Sequence, residues 1–416
     1  MQVFKFGGAS VKDAKGVKNL AAVLQKVGYK NTLVIVSAMG KTTNAIELVL
    51  NNYFNNKTAL QSSIQEVIKF HNQIVLDLFE NENHPVFQKM KVLFEEFKNF
   101  FKTNKSPDYN FVYDQTMGFG ELISTIIISE YLNSIQIKNN WIDVRTQIKT
   151  DNYYRRANVN WSTTQKQISA NFNASVLNIT QGFLGSDLNN FTTTLGREGS
   201  DYTAAIYAYC LNAQSVTIWK DVKGVLNADP RYFENAQLLN KISYREAIEL
   251  AFYGASVIHP KTLQPLQGKE IPLYVKSFLN PTETGTMVGK GITLEPMIPC
   301  FIVKKNQVLI SLSSLDFSYI VEDNISDIFK LLHQYKMKVD VIQNSAISFS
   351  VCVDNIYDNL EKLLQHLKAK FKVTCNENVS LYTIRHYNQN AINQIEDGKT
   401  VLLKQLTQET VQVVTK

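Results

Sequence analysis

The chain has 416 residues, enough for two or three domains at ~150 residues each. It is 44% hydrophobic and 19% charged, and 43 basic against 37 acidic side chains leave a net charge of +6. This composition excludes global disorder, the lack of an apolar run near ~18 residues excludes a membrane-spanning helix, and the mild charge without a Lys/Arg run excludes a polynucleotide surface.

The chain enters strand-like alternation at once, with no signal-peptide core. Residues 3–6 read as a strand, Gly7-Gly8 as a turn, about 11–27 as a helix and 32–37 as a second strand followed by Gly40. Alternation of this kind predicts an α/β domain with a mainly parallel sheet between helices. Two amphipathic helices follow, one carrying Leu60, Ile64, Val67, Ile68, His71, Val75 and Leu78, the other Val86, Met90, Leu93, Phe97, Phe100 and Phe101. They form a helical hairpin that either covers the sheet or lids a site, with His71 a packed or interfacial residue. The cysteines Cys210, Cys300, Cys352 and Cys375 are scattered without a C-x-x-C pair, so a reducing cytoplasm is expected, with neither a disulfide framework nor a structural metal.

Gly and Pro cluster over residues 280–299, which marks a domain boundary. Beyond it the order is strand 308–313, a helix with Ile325, Ile328, Phe329 and Leu332, strands 338–343 and 346–353, a helix from Ile356 to Leu367, and strand 371–375. That βαββαβ order is a ferredoxin-like α+β unit. An incomplete copy follows: strand 379–384, a short helix near 391–395, and strands 400–405 and 410–414. Residues 300–303 are expected to complete it.

Four runs carry chemistry. Lys5-Phe6-Gly7-Gly8-Ala9-Ser10-Val11 ends a strand and opens a helix. Without Cβ atoms its amides can approach a phosphate, and Lys5 can neutralise a transferred phosphoryl group; the alternative is a tight turn beside a surface lysine. Gly40-Lys41-Thr42 and Gly398-Lys399-Thr400 both lack the earlier glycine of a P-loop, and no G-x-G-x-x-G is present. In residues 194–205, Arg197 can fork onto a carboxylate, Ser200 takes an N-cap-like place before a helix at 204–211, and Asp201 can orient Lys5 or a phosphate-bound metal. Residues 218–231 form a polar loop after a strand, with Lys220, Asp221, Asp229 and Arg231. Residues 252–261 are a helix end and turn, with a structural His259 beside Pro260 and then Lys261.

Together these runs resemble aspartate kinases of the amino acid kinase family over nearly the whole chain. The KFGGTSV start corresponds to residues 5–11 with Ala9 for threonine, and the serine-bearing strand end to Val36-Ser37-Ala38 with Thr43-Asn44. Gly120-Glu121 corresponds to a Gly-Glu that begins a helix, GRxGSD to residues 196–201, and WxDVxGxxxADPR to residues 219–231. The tail resembles paired ACT domains, with Gln343-Asn344-Ser345 in the expected place.

The resemblance implies an amino acid kinase domain at 1–295 and ACT domains at 296–416, the first at 306–376 and the second split between 296–305 and 377–416. It implies phosphorylation of the L-aspartate β-carboxylate by ATP with Mg2+, the first step toward lysine, threonine and methionine, in a monofunctional enzyme. Lys5 and Asp201 would be catalytic, and Gly7, Gly8 and Ser10 would hold phosphates. Ser37, Thr43, Glu121, Arg197 and Ser200 would bind aspartate, Glu121 through the ammonium and Arg197 through a carboxylate. Lys220, Asp221, Arg231, Ser256 and Lys261 would face ATP. Lys220 stands where threonine is common, Leu226 where tyrosine is common and Ser256 where lysine is common, with Lys261 five residues on; Glu198 is placed to modulate Arg197.

In the tail, Asp323, Asn324, Asp340, Gln343, Asn344 and Ser345 would bind a feedback amino acid, lysine or threonine, or serve only as capping and turn residues. Uncovered sheet edges predict a homodimer or a dimer of dimers. The competing expectations are another amino acid kinase, such as a glutamate 5-kinase or acetylglutamate kinase, and an amino-acid sensor with a non-catalytic kinase-like half. A sensor predicts loss of Lys5, Arg197 or Asp201, and all three are present.

Overall fold

A computed structural model describes every residue except Glu82, Ser256, Val257 and Phe317. The chain divides into two compact units. One comprises Met1–Val225, Leu238–Ile248 and Ile258–Thr293, the other Leu226–Gln237, Glu249–Val257 and Leu294–Lys416. Among the described residues no helix is long and apolar enough to cross a membrane.

The first unit is built on an eight-stranded sheet in the order Asn139–Ile142, Leu177–Gln181, Thr32–Val36, Gln2–Phe6, Ser215–Lys220, Leu273–Ser277, Thr286–Gly289 and Lys241–Ser243. Neighbours are parallel except the pair Leu273–Ser277 and Thr286–Gly289. The central strands are apolar on both faces because helices cover both; every residue of Thr32–Val36 is buried. The four-residue strand Thr286–Gly289 lies inside the segment expected as a boundary, so glycine-rich composition there marks turns around a short strand.

Asp13 accepts the Gly16 N–H at 2.7 Å and starts helix Ala14–Val27, preceded by a separate 3-10 turn over Gly8–Val11, where one helix from about 11 is expected. Helices Lys57–Leu78 and Pro85–Thr103 bury Ile64, Val67, Met90 and Phe97 in the same core as Phe4 and Val34, so the hairpin covers the sheet. Gly120-Glu121 does not begin a helix. It lies midway along Tyr109–Ser134, whose true start is capped by Asp108, and this helix is buried on nearly all sides.

The second unit carries a six-stranded antiparallel sheet in the order Lys338–Asn344, Ser348–Asp354, Cys300–Ser313, Lys372–Arg385, Thr410–Thr415 and Val401–Leu406. The separate strands expected at 371–375 and 379–384 are one 14-residue strand, and residues 300–313 form another. They pair twice, 300–304 with 381–385 and 309–313 with 372–376, slipping register between. Asn306 and Asn378, both at positive φ, absorb the slip, so one strand serves two lobes. Helices Glu322–Gln334 and Leu360–Lys368 cover one lobe through Ile328, Leu332 and Leu363 on Ile310 and Phe349. Helix Gln389–Glu396 covers the other through Ile392 and Ile395 on Ile384 and Val413. Ile356 is exposed outside the second helix, where no apolar face receives it.

Within this unit Lys304 Nζ lies 2.7 Å from Asp340 Oδ1, both mostly buried, with Lys338 Nζ at 3.6 Å. Removing one partner of a buried pair leaves an uncompensated charge. Lys304→Met is expected to destabilise this unit by about 2–4 kcal/mol, and adding Asp340→Leu to recover most of the loss, as read by urea titration of the intact chain. Equal stability of the single and double variants would refute a stabilising charge pairing.

Candidate active site

The carboxyl ends of the parallel strands are where an α/β sheet opens a crevice. Lys5 lies near the end of the central strand Gln2–Phe6, between Ile35 and Ile218 in register. Its Nζ is 2.7 Å from Asp201 Oδ1, with side chains 12% and 5% exposed. The approach is off the hydrogen-bonding direction, so the contact is an ion pair. Asp201 stands in the first turn of helix Gly199–Cys210. That helix starts earlier than expected, and its N-cap is Glu198, in a left-handed conformation at φ 53, and not Ser200. Ser200 falls inside the first turn because the backbone bond from Gly199 N–H to Gly196 O has already closed the turn before it.

Two loops press together beside Lys5. A Cβ on Gly8 would stand 2.6 Å from Ala38 O, and the Gly40 N–H donates to Gly8 O at 3.0 Å. Only glycine permits that approach. The Gly7-Gly8 turn and the loop bearing Ser37 are therefore one surface. Ser10 is buried, and its hydroxyl donates to Trp219 O at 3.3 Å. Ser37 and Thr43 are half-buried, and Ser37 O accepts from Ser124 Oγ at 2.8 Å. Thr42 anchors the loop: its hydroxyl donates to Met39 O at 2.6 Å and lies 3.1 Å from His71 Nε2, while His71 Nδ1 is 2.7 Å from Val67 O. Burial lowers the His71 pKa to about 4, so the ring is a neutral packed residue.

Glu121 is buried, with the Ala38 N–H on its carboxylate and no ion-pair partner among the described residues. Desolvation pushes it up to about 8. Arg197 is its complement: exposed, with neither a hydrogen bond nor an ion pair among the described residues. An ammonium satisfies the first and a carboxylate the second.

Some features here were not legible in the motifs. A Cβ on Gly182 would stand 2.4 Å from Ser200 Cβ, so the 181–183 turn, bonded to Val36 O through the Gly182 N–H, fixes where Ser200 sits. Buried Asp114 accepts from the Arg155 N–H, the Thr194 N–H and the Thr194 hydroxyl at 2.8–3.0 Å, tying down the strand that leads to Arg197. Neither follows from local sequence, because both depend on long-range contact.

The nucleotide-side expectations are more dispersed. Lys220 is half-buried at the end of strand Ser215–Lys220, and Asp221 is exposed after it. Arg231 belongs to the second unit and forks onto Asp229 at 2.6 and 3.0 Å. Lys261 Nζ donates to Leu195 O at 3.1 Å and sits 4.6 Å over the Tyr202 ring. His259 caps helix Pro260–Gly268 through Nδ1. Ser256 lies outside the described residues.

In the tail, Ile320 N–H donates to Ala346 O at 2.9 Å, bringing the loop before helix Glu322–Gln334 beside the 344–348 turn. Asn324 accepts from the Val321 N–H and caps the helix, and Asp323 is exposed in its first turn. Gln343 and Asn344 are exposed on their strand, Ser345 meets Ser348 Oγ at 2.6 Å, and Asp340 is held by Lys304.

Residues 1–277 match the model of the amino acid kinase family, and the chain belongs to that family. Its relatives there are aspartokinases. The lysine-sensitive aspartokinase 3 of Escherichia coli is 31% identical over 361 residues, covering 82% of this chain and 76% of that one. The crystal structure of E. coli aspartokinase III with lysine and aspartate, a T-state, superposes with a TM-score of 0.84 at 26% identity, covering 100% of this chain and 95% of the other. The R-state with aspartate and ADP gives 0.80 at the same identity, covering 100% and 96%.

The Glu121 carboxyl has a pH consequence. Its pKa is raised from an ordinary 4.5 to about 8, so the folded state favours the neutral form. The resulting stability is fully present below about 4.5 and is lost as pH rises through about 8. Melting temperatures of the ligand-free chain from pH 5 to 9 are expected to fall over that range more steeply than those of Glu121→Gln. Parallel curves would show that Glu121 does not titrate there.

Proposed function

We propose that the chain is a feedback-regulated aspartokinase that transfers the γ-phosphoryl group of ATP to the β-carboxylate of L-aspartate. The product is 4-phospho-L-aspartate, the first intermediate toward lysine, threonine and methionine. The observation that carries this is a buried carboxylate without a cation, Glu121, and a guanidinium without an anion, Arg197, on elements converging at Lys5. That is the complement of an amino acid, with its ammonium and a carboxylate. The likeness to lysine-sensitive aspartokinase 3 supports the same substrate.

The chemistry needs no protein nucleophile, because the substrate carboxylate is one. It needs two anions held in line and charge neutralised on the phosphoryl oxygens. Glu121 receives the ammonium and Arg197 a carboxylate, with Ser37, Thr43 and Ser200 completing the aspartate pocket. Backbone amides at Gly7 and Gly8, with Ser10, face the phosphates. Lys5 stabilises the group in transfer, and Asp201 keeps Lys5 aimed. Lys220 and Asp221 are assigned to the nucleotide; for Arg231 and Ser256 that role rests on the resemblance alone. The Asp201 carboxylate is committed to Lys5, and among the described residues no three His, Cys, Asp or Glu side chains gather as a metal cage. Mg2+ fits here as an ion carried by the nucleotide, supplying charge neutralisation when bound.

The kinase domain is taken as 1–295 and the regulatory ACT pair as 296–416, split as 306–376 and 296–305 plus 377–416. The effector is lysine or threonine, bound by groups among Asp323, Asn324, Asp340, Gln343, Asn344 and Ser345. The lysine-bound T-state of E. coli aspartokinase III supports lysine. A homodimer or dimer of dimers in the cytoplasm completes the reading.

The test is ADP release from ATP with L-aspartate, L-glutamate or N-acetylglutamate, with and without lysine or threonine. Turnover with aspartate alone among the three is expected. Lys5→Met should keep the fold and lower turnover by about 10²- to 10³-fold, since one charge acting on the transition state is lost. Activity within a few-fold of wild type would remove Lys5 from the mechanism.

A further inference from the structure

We infer that Glu198 and Lys261 form a clamp that presets the Arg197 guanidinium for the substrate carboxylate, making Lys261 a positioning residue on the aspartate side and not a nucleotide ligand. The inference rests on the aspartokinase reading and deepens its account of Arg197. The clamp has two separate ties between the turn around Arg197 and the start of helix Pro260–Gly268. On one side of Arg197, Lys261 Nζ donates to Leu195 O at 3.1 Å, with its charge 4.6 Å over the Tyr202 ring. On the other, the His259 N–H donates to Glu198 Oε2 at 2.9 Å. His259 closes the pair by accepting the Lys261 N–H on Nδ1 at 3.2 Å.

The backbone between the ties is unusual. Gly196 and Glu198 both have left-handed backbones, at φ 79 and φ 53. Glycine adopts that conformation freely, but glutamate does so only where its surroundings hold it. A carboxylate on a backbone N–H is a charge-assisted bond that can hold it. The turn is thus fixed on both flanks of Arg197, while the guanidinium itself has no partner among the described residues. Holding the backbone on both sides of an unpaired arginine limits where its guanidinium can reach, which leaves less ordering to do on binding. One of the three Lys261 ammonium donors is taken by Leu195 O and its charge lies over the Tyr202 ring, which ties the side chain to the turn around Arg197.

The test compares Lys261→Met, Lys261→Arg, Glu198→Ala, Glu198→Gln and Glu198→Gly. Lys261→Met and Glu198→Ala are expected to raise KM for aspartate about tenfold with KM for ATP moving less than twofold, as a small misplacement of a positioning group does. Lys261→Arg and Glu198→Gln keep a donor and an acceptor and should restore most of the affinity. Glu198→Gly relieves the backbone but loses the tie, so it should stay weak; recovery in this variant would show that only the φ angle matters and overturn the tie. A rise in KM for ATP with Lys261→Met, or unchanged KM for both substrates, overturns the clamp. If wild type does not turn over aspartate, the aspartokinase reading fails instead. Amide exchange then decides the clamp alone: Lys261→Met should speed exchange at residues 196–199, and unchanged protection refutes it.

Discussion

The rest of the kinase half is arranged around one contact, the ion pair between Lys5 on the central strand and Asp201 at the start of a helix. A buried ion pair is a poor way to stabilise a fold, since desolvation offsets most of the attraction. Apolar neighbours of the same volume would serve the sheet as well. Its presence fits the role proposed for the lysine: a mostly buried ammonium held in one place at the carboxyl end of the central strand. That placement sets the geometry nearby. Helix Gly199–Cys210 must begin above the sheet's carboxyl edge, which requires its first turn to press on Gly182. The Gly8 turn must lie against the Ala38 carbonyl, which excludes any larger residue there.

A second ionisable group has no partner of opposite charge among the described residues. Glu121 sits in a core helix with two backbone N–H groups, its own and that of Ala38, on its carboxyl, and burial raises its pKa to about 8. A stable but inactive protein would replace it with an apolar residue or pair it. Asp114 is the contrast: equally buried, it accepts three hydrogen bonds, and burial lifts it only to about 6. The two carboxyls of one helix, Tyr109–Ser134, thus differ in their partners. Three hydrogen bonds let Asp114 hold its loops, while burial favours the neutral form of Glu121, which has no ion-pair partner among the described residues.

The tail follows a different logic. Its two lobes share the 300–313 and 372–385 strands, so neither lobe has a sheet of its own. The positive-φ residues Asn306 and Asn378 sit at the slip and let each strand turn its apolar side from one helix layer to another: Ile310 and Leu312 face one core, Tyr382 and Ile384 the other. Lys304 and Asp340 pair close to this slip, where the regular ladder cannot use their backbone positions fully. Asn324 is spent on its own helix cap. An amino acid held in this lobe must therefore find groups that the fold has not already engaged, and exposed Gln343 and Asn344 are such groups.

The pattern of what was legible has the same physical root. Buried strands such as Thr32–Val36 and amphipathic helices such as Pro85–Thr103 announce themselves, because local periodicity and burial coincide. The Lys5–Asp201 pairing was implied by the resemblance to aspartate kinases; from the residues alone Asp201 could equally have served a phosphate-bound metal. What escaped was set by distant partners. A Gly-Glu pair marks a helix start only if the preceding residues cannot be helical, and residues 109–119 are already helix, with Val112, Tyr113, Thr116 and Met117 buried in the core. Ser200 looked like a cap because serine caps helices, but the left-handed Glu198 had already opened the turn, held there by a backbone N–H sixty-one residues away. Lys261 looked available for a phosphate because it follows a missing lysine by five residues. Only the fold shows that Leu195 O receives it first. A residue's type limits what it can do; its first satisfied partner decides what remains for a ligand.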